Sequence, residues 1–369
     1  MQLRQVEIFA LRMRLRHPFE TSFGREDDRE FLLVRAETED FVGWGEVTVS
    51  RDPFYSYETV ATAQSVLHDY LVPWVLARPI GHPDELGPRF AQVRGHQMAK
   101  SGLEGAVWDI YAQELGLPLS TALGGTRQEI EVGISIGIEP TAELLLKQVE
   151  RFLGEGYRRF KIKIKPGVDY DRLKAVRKEF GAIPMMADAN SAYTLDDLPL
   201  LQRLDDLDLM MIEQPLAYDD IIDHATLQKQ LRTPICLDES IHGPGDLRKA
   251  IALGSGRILN VKIGRLGGLS ESVQSHNLCQ DAGWPVWCGG MLESGVGRLH
   301  NVAITTLPGF TLPGDTAASS RYWQEDIIEP EVIVSPRGTI QVPDAPGLGH
   351  KVREDMVRSM AHAHWAMRS

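Results

Sequence analysis

The sequence predicts an α/β chain in which a small α+β domain precedes a closed parallel barrel. Three observations predict it. The first third reads as strands followed by helices, whereas beyond Gly124-Gly125 short apolar runs alternate with amphipathic stretches. That alternation has a regular period: Lys163 to Asp188, Asp188 to Glu213 and Glu213 to Asp238 are each 25 residues, and Asp238 to Lys262 is 24. Finally, these five ionisable residues all stand at the ends of their apolar runs. In a (β/α) barrel the carboxyl ends of the strands form one mouth, so all five would converge there. One charged residue leaving a core is commonplace; five in register are not.

The elements follow in order. Residues 2–15, 31–38 and 42–49 carry alternating or β-rich patterns, and 57–77 and 98–115 show helical apolar spacing. A loop, HPFETSFGREDD (17–28), is expected between the first two strands. The barrel strands are expected in 131–136, 159–164, 184–188, 208–213, 234–239, 258–262 and 285–290. Helices are expected in 169–180, 195–205, 219–231, 244–253 and 270–282. The last stretch, 331–369, turns β-rich and then helical, and is expected to pack back on the first domain.

Bulk properties narrow the function classes. At 369 residues the chain exceeds what one core usually serves, so two domains are expected. A net charge of −12 argues against a nucleic-acid backbone as partner. No basic amphipathic run suggests a membrane surface, no stretch is apolar for long enough to span a bilayer, and the alternating N-terminus does not read as a signal peptide. Cys236, Cys279 and Cys288 have no zinc-ligand spacing, and Cys236 and Cys288 lie in apolar strand-like runs, which reads as buried, reduced thiols and fits the cytosol.

The residues at the mouth define the chemistry. Asp188, Glu213 and Asp238 on adjacent strands would crowd three negative charges, a conflict that a hard cation such as Mg²⁺ or Mn²⁺ removes. In RFKIKIK, strand alternation puts Lys161, Lys163 and Lys165 on one face, pointing into the barrel. Lys165, before Pro166-Gly167, reads as a loop residue, and Lys161 as an electrostatic partner of the carboxylates rather than a base. Lys262, on the sixth strand, lies roughly across the barrel from the second, so two lysines would face opposite sides of one bound carbon. Arg265, three residues on, reads either as a surface arginine or as a group tuning Lys262. A lysine base beside a divalent ion is suited to removing a proton next to a carboxylate, and this is the general solution of enolase-superfamily sites.

With these residues in place, the chain resembles the muconate-lactonizing branch of the enolase superfamily over almost its whole length. The motifs are Lys161-Ile162-Lys163, Asp188-Ala189-Asn190, Glu213-Gln214-Pro215, Asp238-Glu239 and Lys262. More narrowly, FETSFG (19–24), YSYET (55–59), KIKIKPG (161–167), DANSAYTL (188–195), IEQPL (212–216), CLDES (236–240), WCGGMLESGVGR (287–298) and LPGDTAASSRYW (312–323) resemble the o-succinylbenzoate synthase and N-acylamino acid racemase family. The resemblance implies a modified (β/α)7β TIM-like barrel at 126–330 under an α+β capping domain at 1–125, completed by about 331–369.

It further implies a synthase that removes water from 2-succinyl-6-hydroxy-2,4-cyclohexadiene-1-carboxylate in menaquinone biosynthesis, with racemisation of N-succinyl or N-acyl amino acids as a second activity. Lys163 would take the proton. Lys262 would stabilise the enediolate and serve the opposite face in racemisation. Asp188, Glu213 and Asp238 would hold the metal, with Asn190 and Glu239 supporting them. Lys161 would touch the substrate carboxylate. Ser135, Asn190, Met291, Ser294 and Asp315 would lie at the pocket, and Phe19, Phe23 and Tyr55 would reach it from the capping domain to shape the succinyl end. The partner would be a small-molecule carboxylate, and the chain would form a homo-oligomer. A dedicated N-acylamino acid racemase would use the same residues, and a muconate cycloisomerase a similar lysine set.

Overall fold

The computed structural model describes all 369 residues. Three antiparallel strands open the chain: β1 (Gln5–Glu20), β2 (Arg25–Glu37) and β3 (Val42–Val47). Period-2 alternation gives this sheet two apolar faces. Val6, Ile8 and Ala10 of β1 pack with Leu103 and Val107 of the long helix Gln97–Glu114, while Phe9, Leu11, Met13 and Leu15 join the core shared with the barrel. Helix and sheet touch closely because glycines line the contact: a Cβ on Gly45 would collide with the Gly102 carbonyl.

The expected 17–28 loop is far shorter than its composition suggests. β1 runs on to Glu20 and β2 begins at Arg25, leaving only Thr21–Gly24 as the turn. Polar residues here belong to a ribbon that projects past the core, where polarity does not signal a loop. The expected helix over 57–77 begins at Val60, after a Thr59 cap, and contains a π-helical turn at Leu67–Leu71.

A short β4 (Glu129–Glu131) leads into the barrel. Its parallel strands are β5 (Ile134–Ile136), β6 (Phe160–Lys163), β7 (Met185–Asp188), β8 (Ile212–Glu213), β9 (Ile235–Leu237), β10 (Ile258–Val261) and β11 (Val286–Cys288), hydrogen-bonded in sequence order. The gap between β11 and β5 is bridged by residues 310–314: Phe310 pairs with Val286 and Gly314 with Val132. Alternation sorts every barrel strand. Ile162, Ala187, Ile212, Leu237 and Val261 face the helices. Met186, Met211, Cys236, Ile258 and Trp287 form a separate apolar cluster that fills the barrel's floor. Above that floor, the next inward positions of β7 to β10 are polar: Asp188, Glu213, Asp238 and Asn260.

After β12 (Ile328–Glu329), β13 (Thr339–Gln341) pairs with β4, and β14 (Lys351–Val352) pairs with β12. The expectation of a helical ending is corrected: helix Glu354–Met360 is short, and the chain ends in β15 (Ala361–Arg368), antiparallel to β1. Its side chains alternate, and Ala363, Trp365 and Met367 face the core of the first domain.

Candidate active site

Strand register assembles the site. Lys163, Asp188 and Glu213 are the last residues of β6, β7 and β8 and stand abreast as ladder partners. Asp238 and Lys262 each lie one residue beyond β9 and β10. All five are buried. Just beyond these strand ends the backbone takes conformations that non-glycine residues rarely adopt: Asn190 has φ 42°, Gln214 φ 37°, and Leu292, beyond β11, φ 56°. Gln214 is kept there by its side chain, which accepts from the Asp238 amide at 2.9 Å and the Ser240 hydroxyl at 3.1 Å.

Each carboxylate meets a cation. Lys163 Nζ donates to Asp188 Oδ2 and to Asn190 Oδ1, both at 2.5 Å. Lys161 Nζ lies 3.1 Å from Asp188 Oδ2, 3.2 Å from Glu213 Oε2 and 2.7 Å from Asp315 Oδ2. Lys262 Nζ donates to Asp238 Oδ2 at 2.7 Å and to the Tyr55 hydroxyl at 3.0 Å. Arg265 pairs with Asp238 Oδ1 and donates from Nε to the Ile241 carbonyl at 2.8 Å, so it is a buried member of the cluster rather than a surface arginine. Asn190 Nδ2 donates to Glu239 Oε1 at 2.8 Å, which joins those two side chains behind Asp188.

Burial pushes the Lys163 amine below the usual lysine range; Asp188 works against that and the Lys161 charge adds to it. Burial also opposes the charges of Lys161 and Lys262. Around Lys161 the carboxylates of Asp315, Glu213 and Asp188 outweigh it, and around Lys262 Tyr55, Glu239 and Glu213 do, so both stand above the usual range. Burial and the Asp188 charge raise Glu213.

Over this floor lies a cavity of about 330 Å³ between barrel and first domain. Phe19, Phe23 and Tyr55 line it from the first domain; Ser135, Lys161, Lys163, Asn190, Lys262, Met291 and Asp315 line it from the barrel. Ser135 Oγ is buried there without a partner. Two expected pocket residues have other engagements. Ser294 does not line the cavity: its hydroxyl donates to Glu46 Oε2 at 2.5 Å and its amide to Glu46 Oε1 at 3.1 Å, at the start of helix Gly295–Thr305. Asp315 lines it but is spoken for by Arg159 and Lys161, each at 2.7 Å. Tyr55 does more than wall the cavity, since its hydroxyl reaches both Lys262 and Asp238. Glu239 and Arg265 line a neighbouring cavity of about 370 Å³.

Sequence reasoning missed Arg159, Asn260 and Gln214. Arg159 and Asn260 carried a signal, since they share inward parity with Lys161 and Lys262. Asn260 Nδ2 donates to Glu213 Oε1 at 2.6 Å. Gln214 carried none.

Asp188, Glu213 and Asp238 fit a hard divalent cation by donor type: all are oxygen ligands, and the buried Glu213 Oε2, though in ion-pair range of Lys161 at 3.2 Å, accepts no hydrogen bond. The three do not stand as a closed ligand group in this conformation, because the lysine and arginine cations hold their oxygens. The lysine side chains that cap these oxygens rotate readily, while the strand ends that carry the carboxylates are fixed by the ladder.

Residues 3–124 match the family model "Mandelate racemase / muconate lactonizing enzyme, N-terminal domain", and residues 144–356 match "Enolase C-terminal domain-like". An o-succinylbenzoate synthase of Geobacillus stearothermophilus is 59% identical over 343 residues, 93% of this chain and 91% of that protein. The chain belongs to the o-succinylbenzoate synthase and N-acylamino acid racemase family of the enolase superfamily. An N-succinylamino acid racemase of Thermus thermophilus is also similar, 52% identical over 95% of this chain and 94% of that protein. In three dimensions, an enolase-superfamily member from Listeria innocua superposes with a TM-score of 0.96 at 38% identity, covering 100% of this chain and 99% of that one. Members of the superfamily are metal-dependent enzymes.

Proposed function

We propose that this enzyme is an o-succinylbenzoate synthase that also racemises N-succinyl or N-acyl amino acids. The carrying observation is that two buried lysines, from β6 and from the end of β10, reach one cavity with three carboxylates on the strand ends between them. The family membership above supports the same reading.

In dehydration, Lys163 Nζ takes the proton beside the substrate carboxylate, and the electron pair moves into that carboxylate as an enediolate. The enediolate then collapses, the ring hydroxyl leaves, and Lys163 returns its proton to it as water on the same face. Lys262 stays charged and stabilises the enediolate across the cavity. Lys161, two residues from Lys163, sits against the carboxylates and faces the substrate carboxylate. Asp188, Glu213 and Asp238 would hold a divalent cation, Mg²⁺ or Mn²⁺, which would supply positive charge to offset the charge of the enediolate. In racemisation Lys262 delivers or removes a proton from the opposite face. Phe19, Phe23 and Met291 wall the acyl end against water.

The capping assembly comprises residues 1–125 and about 331–369, with the barrel at 126–330; the pairing of β15 with β1 supports this division. The enzyme works in the cytoplasm as a homo-oligomer, which sedimentation of the purified protein tests. No helix is long and apolar enough to cross a membrane.

The reading is tested by assaying the Mg²⁺-loaded protein on the cyclohexadiene carboxylate by ultraviolet absorbance and on N-succinyl-phenylalanine by polarimetry. Dehydration at the higher kcat/KM supports the synthase. Racemisation without dehydration replaces it with a dedicated N-succinylamino acid racemase, the reading that the Thermus relative's name favours.

A further inference from the structure

The two lysines are held by different parts of the chain. Lys163 Nζ is fixed by Asp188 and Asn190, both barrel residues. Lys262 Nζ is fixed on one side by Asp238 and on the other by Tyr55, which comes from the first domain. The Tyr55 hydroxyl accepts from Nζ at 3.0 Å, and Nζ lies 4.4 Å from the ring centroid, on the hydroxyl side of the ring. The hydroxyl's own proton goes to Asp238 Oδ1 at 3.1 Å, so its lone pair is turned toward the lysine.

The segment that carries Tyr55 is braced. At its start, Ser50 bridges Thr59 and accepts at its carbonyl from the Val60 amide at 3.0 Å. Arg29 donates to Ser50 Oγ at 2.5 Å and to the Thr48 carbonyl at 2.6 Å. At its end, Glu58 accepts from the amides of Met98 and Ala99 at 2.9 and 3.2 Å, where helix Gln97–Glu114 begins. Between these anchors Phe54 and Tyr57 are largely exposed, whereas Tyr55 points inward, forming part of the wall between the catalytic cavity and its neighbour.

We infer that Tyr55 is a positioning residue for Lys262, and that it makes proton transfer on one face of the substrate depend on the first domain. This rests on the two-lysine reading above. Lys262 as a static charge acts through several ångströms, but Lys262 as an acid or base must bring Nζ within hydrogen-bond reach of the α-carbon along one direction. Racemisation needs that alignment in every turnover: a C–H bond breaks and an N–H bond forms at one lysine, and the reverse happens at the other. Dehydration needs it only at Lys163. Loss of the Tyr55 hydroxyl therefore costs racemisation more than dehydration.

The test uses the full-length Mg²⁺-loaded enzyme in D₂O with each enantiomer of N-succinyl-phenylalanine, following loss of the α-proton by NMR. Each lysine exchanges the proton of one enantiomer, and Lys262→Ala identifies which. In Tyr55→Phe, which keeps the ring, the exchange ratio between the enantiomers shifts by about tenfold against the Lys262 face, as expected for losing one hydrogen bond to a charged group. Tyr55→Leu, which also removes the ring, shifts it further, and dehydration falls several-fold less than racemisation in both. Mg²⁺ affinity by calorimetry stays at the parent value in Tyr55→Phe. An unchanged ratio overturns the inference. So does an equal fall on both faces with weakened Mg²⁺ binding, which would mean that Tyr55 acts through Asp238. If the parent neither exchanges nor dehydrates, the functional reading itself fails and takes this inference with it; the unsubstituted enzyme alone decides that.

Discussion

Lys161 and Lys163 share one face of β6, two residues apart, and their surroundings divide their work. Lys161 is ringed by Asp188, Glu213 and Asp315, which secure its charge. Lys163 touches one carboxylate and one amide, and burial lowers it. With Lys163 as the base proposed above, its replacement by alanine lowers the dehydration kcat by about 10³-fold, measured by initial rates. Asp315 is the partner that Arg159 and Lys161 share, and both drive it down to about 2 against burial. Asp315→Ala leaves buried cations short of a counter-charge and costs about 3 kcal/mol of unfolding free energy, read by denaturant titration. A cost below about 0.5 kcal/mol would show that the strand-end carboxylates already satisfy Lys161. At this scale the inward placement of the lysines and of the strand-end carboxylates was legible because strand parity and a constant period mark inward positions. Ser294 was not, because its partner, Glu46, is 248 residues away and appears only in the fold.

At the scale of elements, the capping domain and barrel are joined through buried carboxyls at helix starts. Glu104, on helix Gln97–Glu114, accepts from the amides of Leu269 and Ser270 at 2.7 and 2.9 Å, where helix Leu269–Ala282 begins. Burial raises it to about 7, although bonds from Ser270, Leu269 and Trp108 pull it down. Because this lies above its value of about 4.5 in an open chain, its contribution to stability is fully present below pH 4.5 and is lost as the pH rises through 7. Glu104→Gln does not titrate, so its Tm falls less between pH 5 and 8 than the parent's. Equal slopes would contradict the assignment. The barrel helices and strands were readable because each is short and strongly patterned. The β1–β2 ribbon and β15 were not: the ribbon's tip is polar because it leaves the core, and β15 is supported by β1, at the opposite end of the sequence.

For the molecule as a whole, one ring of strands presents its polar ends to one cavity, and the first domain roofs that cavity with Phe19, Phe23 and Tyr55. The fold was legible as a barrel after an α+β domain because the period near 25 residues is a property of the whole barrel. The segment that closes it was not, since residues 310–314 complete the ring with two isolated bridges and no apolar run. If Asp188, Glu213 and Asp238 hold a divalent ion, adding Mg²⁺ at about 100 times its dissociation constant to chelator-treated protein stabilises it by about 2.7 kcal/mol, visible as a rise in Tm. Alanine at any one of the three positions should suppress that rise.

The central claim is that Lys163 is the base of a dehydration carried out across a two-lysine cavity. Its most direct test is the initial rate of o-succinylbenzoate formation by the Mg²⁺-loaded parent and Lys163→Ala, with Mg²⁺ binding measured on both. The account predicts rapid product formation by the parent, about a 10³-fold loss in the variant, and retained metal binding. Comparable rates from the two proteins, or a variant whose loss is explained by failure to bind Mg²⁺, would contradict it.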